Sequence, residues 1–118
     1  MTFTLEPAAA FAQPLNRLIM KATFDPTNEW FFYDGAHSGS NVLEQNMSNT
    51  WMHEHFVALN GNNEIFAYFE GTWLRPADII TSFRAIHFGA SHSRMAAKAF
   101  FAYLHYLFVN RGCQAFNW

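Results

Sequence analysis

Apolar and polar positions alternate along some stretches of the chain and recur with helical spacing along others. The changes of period mark its elements. Phe3 to Leu5 alternates with threonine and reads as a short first strand. Phe11, Leu15, Leu18, Ile19 and Ala22 then fall on one helical face. Pro14 is tolerated only in a first turn, so regular helix is expected from near Gln13. Asp25-Pro26-Thr27-Asn28 breaks that helix. The run Trp30-Phe31-Phe32-Tyr33 fits a strand or a hydrophobic plug equally. Gly35 to Ser40 reads as a loop, and Asn41 followed by Glu44 has capping-box spacing for a short helix to about Met47.

The next stretch is the clearest. Met52 to Leu59 and Ile65 to Trp73 are strand-like, and Asn60-Gly61-Asn62-Asn63 between them is hairpin chemistry, because Gly and Asn tolerate positive φ. Arg75-Pro76-Ala77-Asp78 turns the chain again, into a strand over Ile79 to Phe88. Gly89-Ala90-Ser91-His92-Ser93 leads into a helix from Arg94 to Asn110, which Gly112 stops. Cys113 to Trp118 reads as one more strand. The expected fold is α/β in the α+β sense, with order β-α-α-β-β-β-α-β. The last helix is apolar nearly all round (Phe100, Phe101, Tyr103, Leu104, Tyr106, Leu107, Phe108), so burial on more than one side is expected.

Composition bounds the function classes. The chain has 118 residues, enough for one domain, and 51% hydrophobic against 14% charged residues implies a packed core rather than disorder. Fourteen phenylalanines must supply much of that core. Net charge is -2 and no basic block exists, which argues against nucleic acid as a partner. The single cysteine, Cys113, rules out a disulfide within one chain and makes the reducing cytoplasm the expected compartment. The N-terminus does not read as a signal peptide. Met95 to Val109, interrupted by Lys98 and His105, is shorter than the roughly 20 residues a bilayer span needs. A soluble protein with no membrane partner is expected.

A more specific pointer lies after the third antiparallel strand. His92-Ser93-Arg94-Met95-Ala96-Ala97 opens a helix, Lys98-Ala99-Phe100-Phe101 continues it, and Arg111-Gly112 closes it before a further strand. This order resembles the GNAT (GCN5-related N-acetyltransferase) superfamily, whose hallmark is a strand, a Gln/Arg-x-x-Gly-x-Gly/Ala loop, a long helix, a glycine and another strand. The resemblance covers nearly the whole chain in element order. It departs at His92, where Gln or Arg is usual, and at Met95, where Gly is usual. It implies a mixed, mostly antiparallel sheet flanked by helices, with acetyl-CoA as substrate. Unpaired N–H groups at a helix start hold phosphates, so His92, Ser93, Arg94, Met95, Ala96, Ala97 and Lys98 are the expected pyrophosphate site. A Met95 side chain aimed at the pocket would block it, whereas one aimed at the core would leave it open. The pantetheine arm is expected beside the strand at about Arg84 to Phe88, with a backbone N–H from Ile86, His87 or Phe88 polarising the thioester carbonyl. The family also continues past the strand begun at Cys113, so a chain cut short, or association through this edge, is expected.

Two side chains suit acid–base work: His87, whose residue type titrates near neutrality, and Glu70, because family members often deprotonate the amine with a carboxylate of the central strands. For each, the plain structural role competes. His53-Glu54-His55 brings two histidines to one strand face, but no third metal ligand follows from spacing, so no metal is expected and a solvated or edge face is preferred. Tyr103, Tyr106 and Cys113 read as core. Asn46-Met47-Ser48 matches a glycosylation acceptor without other signs of secretion. The expected function is acetyl transfer to an amine of a small molecule or peptide. The alternatives are a GNAT-derived module without catalysis and an unrelated small α/β interaction protein.

Overall fold

The computed structural model describes residues 2–24, 29–32, 53–88 and 93–116. The chain runs β1 (Thr4–Pro7), a 3-10 turn (Ala8–Phe11), α1 (Ala12–Phe24), β2 (Glu29–Phe32), β3 (His53–Leu59), β4 (Ile65–Leu74), β5 (Ile79–His87), α2 (Ser93–Asn110) and β6 (Ala115–Phe116). The strands form one sheet in the order β1-β3-β4-β5-β2, with β6 also on β5. Every pairing is antiparallel except β5 with β6. The fold is therefore α+β with a mixed, mostly antiparallel sheet. Pro14 sits in the first turn of α1, where its missing N–H has no helical partner to lose. The aromatic run resolves as strand β2 over Glu29–Phe32. The helix expected at Asn41 to Met47, the loop at Gly35 to Ser40, Tyr33 and Met52 lie outside the described residues.

The β3–β4 turn is held by one side chain. Asn60 Oδ1 accepts the backbone N–H groups of Asn62 (2.9 Å) and Glu64 (3.0 Å), and Asn63 takes φ 60. Gly71 lies opposite Glu54 in the β3–β4 register, and a Cβ there would meet Ile80 Cγ2 at 2.9 Å, so the sheet closes over a missing side chain. After α2, Gly112 adopts φ 73 and Cys113 N–H closes on Leu107 C=O at 3.0 Å.

Each sheet face carries a helix. On one, Ala96, Ala99, Phe100, Tyr103 and Leu107 of α2 pack with Phe56, Phe66, Phe69, Trp73, Ile80 and Phe83. Aromatic rings dominate this layer, with centroids 4.5 Å apart for Phe83–Phe116 and 5.3 Å for Phe69–Tyr103. Burying each such ring is worth roughly 1.5–3 kcal/mol. On the other face, Leu15 packs with Val57, Leu59, Tyr68, Ile86 and Phe88, and Phe11 and Leu18 lie against them. The side chains of Ile19 and Ala22 lie outside the described ones.

The expectation that α2 is covered on more than one side fails. Phe101 is 67% and Val109 66% exposed, and Phe108 is also open to solvent. Only the face carrying Ala96, Ala99, Tyr103 and Leu107 reaches the sheet. Among the described residues no helix is long and apolar enough to cross a membrane.

Candidate functional site

The first turn of α2 contains no acidic residue, so its unpaired N–H groups and partial positive charge are not offset from within the helix. Arg94, Ala97 and Lys98 are exposed there, whereas Ala96 is buried. Met95 is half-buried and packs against the α2-side core rather than standing over the helix end. This settles a direction that the sequence left open, and it agrees with helical spacing, since Met95 lies one turn before Ala99, a core residue. An exposed turn with two cations and a small residue fits a phosphate-bearing group. His92 lies outside the described residues, and of Ser93 only the backbone, which begins the helix, is described.

The strand leading to this turn is arranged differently from the expectation. Ala85, Ile86 and His87 pair with Phe69, Tyr68 and Ala67 of β4 on one edge. On the other edge, β2 pairs Glu29 with His87, Trp30 with Ile86 and Phe32 with Ala85. Phe88 N–H donates to Phe66 C=O at 2.9 Å. The edge expected to take pantetheine is thus held by β2, and the Phe88 N–H is already engaged. The phosphate end of acetyl-CoA fits the residues present; a strand-like pantetheine fits only if β2 gives way.

Glu70 and His87 are both buried, but they are not brought together. His87 shares the face of its partner Ala67, on the α2 side, while Ile86 beside it faces the α1 side. Glu70 shares the α1 face with Tyr68, whose hydroxyl donates to Glu70 Oε2 at 3.1 Å. The Tyr68 oxygen also lies 3.0 Å from His55 Nδ1.

The solvated reading of His53-Glu54-His55 is corrected, since only His53 is exposed and Glu54 and His55 are buried. The reason is that β3 is an inner strand, flanked by β1 and β4, and both side chains find polar partners. On the α2 face, Trp73 Nε1–H donates to Glu54 Oε1 at 2.9 Å, and Arg111 Nη2 lies 2.6 Å from the same oxygen. The buried Tyr103 phenol is close enough to favour the charged carboxylate, yet among the described residues neither its hydroxyl nor Glu54 Oε2 completes a hydrogen bond. Burial pushes the Glu54 carboxyl above its ordinary 4.5, against the opposing pull of Trp73, Arg111 and Arg75. Burial also pushes Tyr103 well above the usual phenol range and raises Cys113. The signal missed in the sequence was alternation: Glu54 shares its face with Phe56 and Ala58, both core residues.

A groove of about 410 Å³ opens between α1 and the β3–β4 turn, with Phe11, Leu18 and Ile65 on its apolar walls and Arg17 and Glu64 as its charged groups. Among the described residues no group of three or more His, Cys, Asp or Glu is placed to hold a metal ion. No family model, curated protein or solved structure matches this chain.

Proposed function

We propose that the chain is an acetyl-CoA-binding domain of the GNAT type, which transfers acetyl to an amine of a small molecule or peptide in the reducing cytoplasm. The observation that carries this reading is the β5–α2–β6 unit. A strand feeds a helix whose first turn shows Arg94, Ala97 and Lys98 to solvent and turns Met95 inward, and the chain returns to pair in parallel with the same strand. In this reading the helix start and the two cations hold the pyrophosphate. The amine loses a proton to Glu70 and attacks the thioester carbonyl carbon. The C–N bond forms, the C–S bond breaks, the nitrogen gives up its second proton to solvent, and the thiolate takes one up. His87, on the opposite face, has no part in that step.

A second reading, a GNAT-derived module without catalysis, is favoured by one observation: β2 lies on the edge of β5 that pantetheine would use. Thermal unfolding with acetyl-CoA, followed by an assay of thiol release with a panel of primary amines, separates the readings. Ligand bound only by the folded chain adds about 2.7 kcal/mol of stability at about 100 times Kd, so a clear rise in Tm is expected. A rise with no amine-dependent thiol release supports the inactive module. No rise at millimolar acetyl-CoA rejects the acetyl-CoA-binding reading and favours the module without catalysis.

A further inference from the structure

We infer that His55, Tyr68 and Glu70 form a proton relay, which draws one proton from Glu70 through Tyr68 onto His55 at the polar end of β3 and so leaves Glu70 as the carboxylate that takes the proton of the amine. The inference rests on the reading that an amine is deprotonated on the α1 face of the sheet. Its basis is a count of protons. The Tyr68 oxygen lies 3.0 Å from His55 Nδ1 and 3.1 Å from Glu70 Oε2, both hydrogen-bond distances. A phenol has one hydrogen, a carboxylate only accepts, and a ring nitrogen either accepts or donates. Both contacts are hydrogen bonds only if a second proton is present, on Nδ1 or on the carboxyl. The chain therefore has two registers. In one, Nδ1–H donates to the Tyr68 oxygen and the Tyr68 hydroxyl donates to the carboxylate. In the other, the carboxyl donates to the Tyr68 oxygen and the Tyr68 hydroxyl donates to Nδ1.

Passing between them moves one proton across the phenol. The Glu70 O–H bond breaks as a Tyr68 O–H bond forms, the old Tyr68 O–H bond breaks as an Nδ1–H bond forms, and no phenolate is left behind. Burial of all three groups strengthens these bonds and keeps competing water away. The surroundings give the relay a direction. On β3, the exposed His53 ring lies 6.2 Å from the His55 ring, on the solvent side. The register sets His55 and Arg84 on either side of Glu70, and Thr72 opposite His53. Tyr68 is wholly buried with the α1-side core, so the relay joins the interior to one open end.

Histidine ring 15N spectra of the ligand-free chain between about pH 5 and about pH 9, where histidine charge changes fall, test the relay without any substrate. His55 is expected to hold a slowly exchanging proton on Nδ1 in the native chain. Tyr68→Phe, which keeps the ring and removes the bridge, is expected to remove that protection. Glu70→Gln is expected to shift the His55 titration while leaving that of His53 in place. A His55 ring that exchanges as freely as His53, and whose shifts ignore both substitutions, overturns the relay even in a chain that transfers acetyl. If transfer is detected, Tyr68→Phe should lower kcat at least about a hundredfold, the lower end of what general acid–base catalysis contributes. It should also move the rising limb of the pH–rate profile and leave KM for acetyl-CoA unchanged. An unmoved profile counts equally against it.

Discussion

Glu54 is where burial and charge meet most directly in this chain. Its carboxylate is wholly enclosed, and Trp73 Nε1–H and Arg111 both converge on one of its oxygens. Arg75 stacks over the same Trp73 ring, 4.0 Å from its centroid, and ion-pairs with Asp78. Desolvation outweighs these partners and raises the Glu54 pKa above 4.5. The folded chain then binds this proton more tightly than the unfolded chain. Stability from this group is fully present below the unfolded value and is lost as pH rises through the folded one. Unfolding by urea from about pH 4 to about pH 8 should show native stability falling with pH relative to Glu54→Gln, whose slope should be flatter. Arg111→Met should cost about 3 kcal/mol near neutrality, because it leaves a buried carboxylate without its counter-charge. Identical pH slopes for the native chain and Glu54→Gln would remove the argument.

At the level of elements, the β3–β4 hairpin shows how far local chemistry reaches. Asn60 Oδ1 alone accepts two backbone N–H bonds in the turn, and its Nδ2 donates to Glu64 Oε1 at 3.2 Å. Asn60→Ala should lower stability by about 1 kcal/mol, the net worth of such bonds in an exposed turn. Asn60→Asp, which keeps the acceptors, should lose less; equal losses by urea midpoint would assign the turn to backbone alone. This hairpin, the third antiparallel strand and the long helix stopped at Gly112 were legible because each is written in contiguous residues. The edge position of β2 was not, since which strand a short aromatic run joins is a long-range choice. Nor was the separation of Glu70 from His87. Alternation places side chains within one strand, but relating two strands needs the register, which pairs His87 with Ala67 and Arg84 with Glu70. At the candidate site, Arg94, Ala97 and Lys98 at an exposed helix start were readable from helical spacing. The burial of Glu54 was written in its alternation with Phe56 and Ala58, whereas that of His55 needed the fold, which makes β3 an inner strand.

The whole molecule is finished unevenly. Its sheet is covered by α2 on one face and α1 on the other, yet α2 turns Phe101, Phe108 and Val109 outward along one stripe, with Leu104 partly buried between them. Helical spacing brings them together: Phe108 follows Phe101 by two turns, and Val109 lies one turn beyond the exposed His105, which is itself one turn beyond Phe101. Single exposed apolar residues are ordinary, whereas a run of large ones along a helix marks a contact surface. The expected occupant is a second copy of this chain, since like stripes on two antiparallel helices meet residue for residue in a two-fold contact. Sedimentation velocity over a range of concentrations should then show the native chain gaining mass, and Phe101→Ser with Val109→Ser should hold it as a monomer. Because both side chains face solvent in the single chain, the double variant should unfold within about 1 kcal/mol of the native monomer. That separates loss of contact from loss of fold. A native chain that stays monomeric at every concentration tested would leave the stripe without this role.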